Sequence, residues 1–151
     1  MAEKTPEEQQ AEIRDWYKGK LGELVQEMLK QGVLNGVAIE SVPVWAAPGR
    51  VIIAKLWNAN EKSKFIWAIC GEEAVTDHIA GNVANNPQEA AKHFALKWQM
   101  DADRLGDVAQ AKTMIENSET HMENYTEKLI KSAELLYEMT TRDEYWKAKY
   151  N

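Results

Sequence analysis

Arg50-Val51-Ile52-Ile53-Ala54-Lys55-Leu56-Trp57 and Lys64-Phe65-Ile66-Trp67-Ala68-Ile69-Cys70 are two short runs rich in β-branched and aromatic residues, separated by Asn58-Ala59-Asn60-Glu61-Lys62-Ser63. That texture predicts a β-hairpin. With Trp57 set opposite Phe65, the pleat puts Lys55 opposite Trp67 and Ile53 opposite Ile69 on one face. Leu56 then meets Ile66, Ala54 meets Ala68 and Ile52 meets Cys70 on the other. The second face is small at its centre and suits a closely packed helix; the first is broad and aromatic. A hairpin with one solvated face alternates apolar with polar. This one scarcely does, so each face needs a cover, either the chain's own helices or a neighbour. A register shift of one residue would exchange the two sets.

Outward from the hairpin, helix-start chemistry recurs four times, a capping residue followed three positions later by Glu: Thr5-Pro6-Glu7-Glu8, Asn86-Pro87-Gln88-Glu89, Thr120-His121-Met122-Glu123 and Thr141-Arg142-Asp143-Glu144. In the first two, proline occupies the first helical position, where its missing N–H costs nothing. A first helix is expected from about Pro6 to Lys30, with Gly32 as its left-handed cap. Its apolar stripe runs through Ile13, Trp16 or Tyr17, Leu21, Leu24 and Met28. A second helix opens at Pro87 with the stripe Ala91, Ala95, Trp98, Ala102, Leu105 and Ala109, with Phe94 beside it. Gly106 either breaks this helix or only weakens it. Ile115, Met122, Tyr125, Leu129, Leu136 and Met139 continue the spacing, and one helix or two over 107–140 are equally compatible with it. Val42-Pro43-Val44-Trp45 reads as an edge strand or an extended lead-in. The expected fold is α+β: a long N-terminal helix, a small antiparallel sheet of two or three strands, then a helical C-terminal half. It forms a single domain over 1–151, with 106–151 as an alternative helical extension.

The 151 residues carry 18 basic and 24 acidic side chains, a net charge of −6. Nucleic-acid binding needs clustered Lys and Arg, which this balance argues against. Seven acids between Asp101 and Glu127 face only Arg104 and Lys112, a solvated helix face or a dock for a basic partner. No apolar run approaches the length of a membrane span. A lone cysteine and an N-terminus without an apolar stretch complete the expectation of a soluble, cytoplasmic protein.

The segment Gly71 to Asn82 holds the titratable groups nearest the hairpin. Asp77 beside His78 offers a general base with an orienting carboxylate, completed by Glu72, Glu73 or His93 from the folded chain. The plainer reading has Thr76 and Asp77 capping a short helix through Ala80. Glu89 and His93, four apart, share a helix face, but one such pair is surface support more often than a metal site, and no metal or cofactor is expected. Cys70, at the end of an apolar strand, reads as a buried core residue, and His121 as a solvent-facing one. Phosphate-loop, dinucleotide-binding and nucleophile-elbow motifs are absent.

Lys64 to Gly71, then Thr76-Asp77-His78, then Ala90 to Gln99 with Phe94-Ala95-Leu96-Lys97-Trp98-Gln99, resemble a small uncharacterised bacterial family of unknown function. The resemblance covers the central third of the chain. It implies a bacterial cytosolic protein, draws weight to Thr76, Asp77 and His78, and transfers no mechanism. The leading functional expectation is a non-enzymatic protein-interaction module, homodimeric in one version, whose contact is Trp57, Phe65 and Trp67 or the acidic 101–127 surface. Its partner is another protein or a second copy, with neither nucleic acid nor membrane. The rivals are a small acid–base or hydrolytic enzyme using Asp77 and His78, and a small-molecule sensor with an aromatic pocket.

Overall fold

A computed structural model describes residues 3–36, 38–116 and 120–147, with side chains placed outside 106–116 and 120–123. The elements are α1 (Pro6–Lys30), β1 (Ile39–Ala47), β2 (Val51–Asn58), β3 (Ile66–Gly71), β4 (Ala74–Ala80), α2 (Pro87–Glu116) and α3 (Thr120–Thr140). Short 3-10 turns cover Lys62–Lys64, Gly81–Val83 and Asp143–Tyr145. The chain divides into two compact units, one of α1, β1, β2, β3 and β4 from Thr76, the other of α2 and α3 with Glu73–Val75.

In the first unit, Thr5 caps α1 as its sequence predicts: Thr5 Oγ1 accepts the Glu8 backbone N–H at 3.1 Å. The helix closes where Gly32 takes φ +75°. There Gly32 N–H donates to the Leu29 carbonyl and Val33 N–H to that of Met28, satisfying the orphan acceptors of the last turn. Leu24 and Met28 are buried with Leu34, Ile52, Ala54, Leu56, Ala68 and Cys70 in one cluster, and Trp16, Tyr17, Leu21 and Val25 lean on it. The small face of the hairpin is thus the one that α1 covers. Ala54 and Ala68 at its centre let the helix approach closely, as their size requires.

The β2–β3 register is the expected one from Ile52↔Cys70 through Lys55↔Trp67 to Leu56↔Ile66. It stops one pair short: β3 begins at Ile66, and Phe65 follows the 3-10 turn outside the strand. β1 pairs antiparallel with β2, and its register shifts between Pro43 and Trp45. A proline without an N–H is tolerated at an edge strand and beside a bulge, and β1 supplies both.

The expectation of two or three strands is corrected to four, in the order β1-β2-β3-β4. The fourth is the segment read as a polar functional stretch with a short helix through Ala80. Gly71 (φ +150°) followed by Glu72 and Glu73 reverses the chain, and Ala74–Ala80 runs as β4. Val75, Thr76 and Ile79 are β-branched and suit a strand. Polar Thr76-Asp77-His78 in its middle hides the alternation.

In the second unit, Asn86 Oδ1 accepts the Glu89 N–H at 2.8 Å, and the Glu89 carboxylate accepts the Asn85 N–H at 2.7 Å, both at the start of α2. The helix continues through Gly106 to Glu116, and α3 follows as a separate helix that packs along it. Ala90, Ala91, Phe94, Ala95, Trp98 and Ala102 are buried on α2, and Leu129, Ala133, Leu136 and Met139 on α3. The Gln88 side chain donates to the Thr140 carbonyl at 2.9 Å and to Asp143 at 3.0 Å, so the end of α3 lies beside the start of α2. Thr141 opens no helix. Its hydroxyl donates back to the Glu138 carbonyl at 2.7 Å, which helps close α3 instead. Trp146 packs its indole N–H on the Met139 carbonyl at 2.8 Å. Ala109, Ile115, His121 and Met122 fall among the side chains outside the described set.

Candidate functional site

Asp77 and His78 are neighbours in β4, and successive side chains of a strand point to opposite faces. Asp77 Oδ1 accepts the backbone N–H of His78 at 2.7 Å, a local bond that draws the carboxylate toward the main chain. Both residues are half-buried. A strand therefore keeps the two side chains from serving as a base and its orienter without partners brought from elsewhere.

Glu72 is engaged by Lys20 of α1, whose Nζ lies 3.1 Å from Glu72 and 3.2 Å from Glu23. The hydrogen bond from Lys20 holds the Glu72 carboxyl below its ordinary value of 4.5, and the same bond raises Lys20. The signs give a stability profile. The Glu72 contribution is complete above pH 4.5 and is lost as pH falls through the lowered folded value; that of Lys20 is lost as pH rises through its raised one. Because Glu72 is largely exposed, the pair is expected to contribute less than about 1 kcal/mol. Urea denaturation of Lys20→Met across the carboxylate range should show a flatter acid limb than the parent.

Glu73 is half-buried, and His93 stands exposed on α2. Glu89, four residues before His93, binds the Asn85 N–H with its carboxylate. Among the described residues, no group of three or more His, Cys, Asp or Glu side chains could hold a metal ion. Cys70 is buried, as its place in an apolar strand predicts, and desolvation pushes its thiol up to about 12, far from the thiolate that nucleophilic work needs.

Trp57, Phe65 and Trp67 each carry a lysine over the ring. Lys55 Nζ lies 4.7 Å from the Phe65 centroid and 4.9 Å from that of Trp67, and Lys62 Nζ lies 5.6 Å from that of Trp57. Phe65 meets Trp67 edge-on at 5.7 Å, and the Trp57 indole donates to Glu40 at 2.9 Å. Trp67 is 1% exposed and Trp57 9%, while Phe65 is half-buried and Lys62 and Lys64 stand in solvent. Of the acids between Asp101 and Glu127, Asp103 and Glu127 are exposed and Asp101 approaches Arg104 at 3.7 Å.

Two surface clefts belong to the first unit. One of about 500 Å³ lies between Gln9, Glu12, Ile13 and Trp16 of α1 and Pro48-Gly49 of the β1–β2 turn. Another of about 460 Å³ is lined by Asn35, Gly36 and Ala38 with residues 58–61. The first holds one aromatic ring and the second none.

The surface feature missed by the sequence reading lies on α2. Leu96 and Met100, one turn apart, are 57% and 62% exposed. Exposed His93 and Asp103 extend the same stripe. The signal was the spacing of residues 93, 96, 100 and 103, which runs out of phase with the buried Ala91, Ala95, Trp98 and Ala102.

Among the described residues, no helix is long and apolar enough to cross a membrane. No curated protein and no solved structure matches the chain. The model of one family, a domain of unknown function designated DUF4826, matches residues 8–146, well beyond the central third that carries the resemblance, and the chain belongs to that family.

Proposed function

We propose that the protein is a non-enzymatic interaction module whose partner is a second copy of itself. The observation that carries this reading is the pair Leu96 and Met100, two large apolar side chains more than half exposed on one face of a regular helix. Singly exposed apolar residues are ordinary. Two stacked one turn apart, with polar residues at either end of the stripe, have the layout of a contact surface. The opposed directions of Asp77 and His78 in β4, and the engagement of Glu72 by Lys20, weigh against the acid–base alternative. A second contact, for a different protein, is the corner where Phe65 is half-buried beside exposed Lys62 and Lys64, with Trp57 and Trp67 buried beneath it as its support.

Light scattering coupled to size exclusion tests the self-association. The mass is expected to rise from 17.2 kDa toward twice that value as concentration increases. A mass fixed at the monomer value over the whole range would refute it.

A further inference from the structure

His93, Leu96, Met100 and Asp103 follow the 3-4-3 spacing of alternating a and d positions in a heptad, and all four are exposed. Their order is self-complementary about residue 98. Leu96 and Met100 lie two residues to either side of it, and His93 and Asp103 five residues to either side. In an antiparallel helix pair, a positions face d positions of the other helix. We infer that α2 packs antiparallel on α2 of a second copy, about a two-fold axis beside residue 98, with Leu96 on Met100 at the centre and His93 opposite Asp103 at each end.

This assignment rests on the self-association proposed above and adds its geometry. An apolar stripe alone would accept a helix from many proteins. The terminal groups are what select a second copy, because an imidazole meets a carboxylate twice under one symmetry operation, as an isologous contact requires. Of the neighbouring charges, Glu89 binds the Asn85 N–H, and Asp101 approaches Arg104. One helix face lies at the small end of stable interfaces, so the dimer is expected to be weak, with a dissociation constant on the order of tens of micromolar.

Cysteine cross-linking tests the pairing. Within one helix, positions 93 and 103 are about 15 Å apart, beyond the reach of a disulfide. The double variant His93→Cys/Asp103→Cys should therefore oxidise to a covalent dimer, while neither single variant forms a cross-link under the same conditions. Buried Cys70 does not compete. A charge test runs beside it. His93→Asp sets carboxylates against each other and should weaken the dimer about tenfold by light scattering, and His93→Asp/Asp103→Lys should restore it. All these positions are exposed, and an unchanged melting temperature verifies the fold of each variant. Single cysteine variants that cross-link as readily as the double one, or a His93→Asp protein that dimerises like its parent, would overturn the antiparallel pairing while leaving self-association standing. A parent protein that stays monomeric at every concentration would remove the underlying reading itself.

Discussion

Alanine at Gly71 is expected to destabilise the protein by about 3–5 kcal/mol, combining backbone strain with overpacking against a strand that cannot yield. Gly71 ends β3 at φ +150°, a conformation that side chains rarely adopt. A Cβ there would fall 2.1 Å from the Arg50 carbonyl oxygen and 2.8 Å from the Val51 Cα, both main-chain atoms. Neither has room to retreat, because Arg50 N–H is tied to the Ala47 carbonyl at 2.9 Å and Val51 is paired with Ala47 across the β1–β2 turn. Thermal unfolding of Gly71→Ala should show a melting temperature lower by roughly 10 °C or more. Gly22→Ala supplies the opposite sign. Gly22 lies inside α1, and nothing stands within 4 Å of the point its methyl group would occupy, so alanine should stabilise by about 0.5–1 kcal/mol. Equal responses at the two glycines would show that the approach of Gly71 to β2 carries no energetic weight.

The same neighbourhood explains what could be read from the chain and what could not. The β2–β3 register was legible because both faces are apolar and differ in size: the alignment that puts Ala54 on Ala68 also sets Ile53 on Ile69 and Ile52 on Cys70. The capping residues Thr5 and Asn86 and the positive-φ Gly32 were legible because each answers a local hydrogen-bonding demand. Phe65 was set one step too far into the ladder, since its aromatic character resembles that of strand residues while the backbone before it is still in a 3-10 turn. β4 was lost because Thr76-Asp77-His78 carries the side chains of a reactive loop on the backbone of a strand. Adjacency in sequence suggested a dyad there, whereas the pleat separates the two side chains. On α2 the buried stripe was read from its period, but the residues left over on the exposed face became informative only once Leu96 and Met100 were known to remain in solvent.

Trp98→Ala is expected to cost about 3–5 kcal/mol, the range for emptying a fully buried aromatic site. Trp98 is completely buried in α2, with its ring 5.8 Å from that of Phe94, and Ala91, Ala95 and Ala102 of the same helix are buried with it. Alanine neighbours have no side-chain length with which to fill the space, so the cavity would persist rather than collapse. The melting temperature should again fall by roughly 10 °C or more. Leu96→Ala and Met100→Ala, on the exposed face of the same helix, should change stability by no more than about 0.5 kcal/mol. Their effect should fall instead on the light-scattering mass, because the apolar surface they remove is the one that the proposed pairing of two copies covers. A buried position that sets the melting point and an adjacent exposed pair that sets the mass would separate the folding role of α2 from its contact role. Leu96→Ala and Met100→Ala variants that melt as low as Trp98→Ala would place those two side chains in the core of the fold, and no α2 face would remain for a second copy.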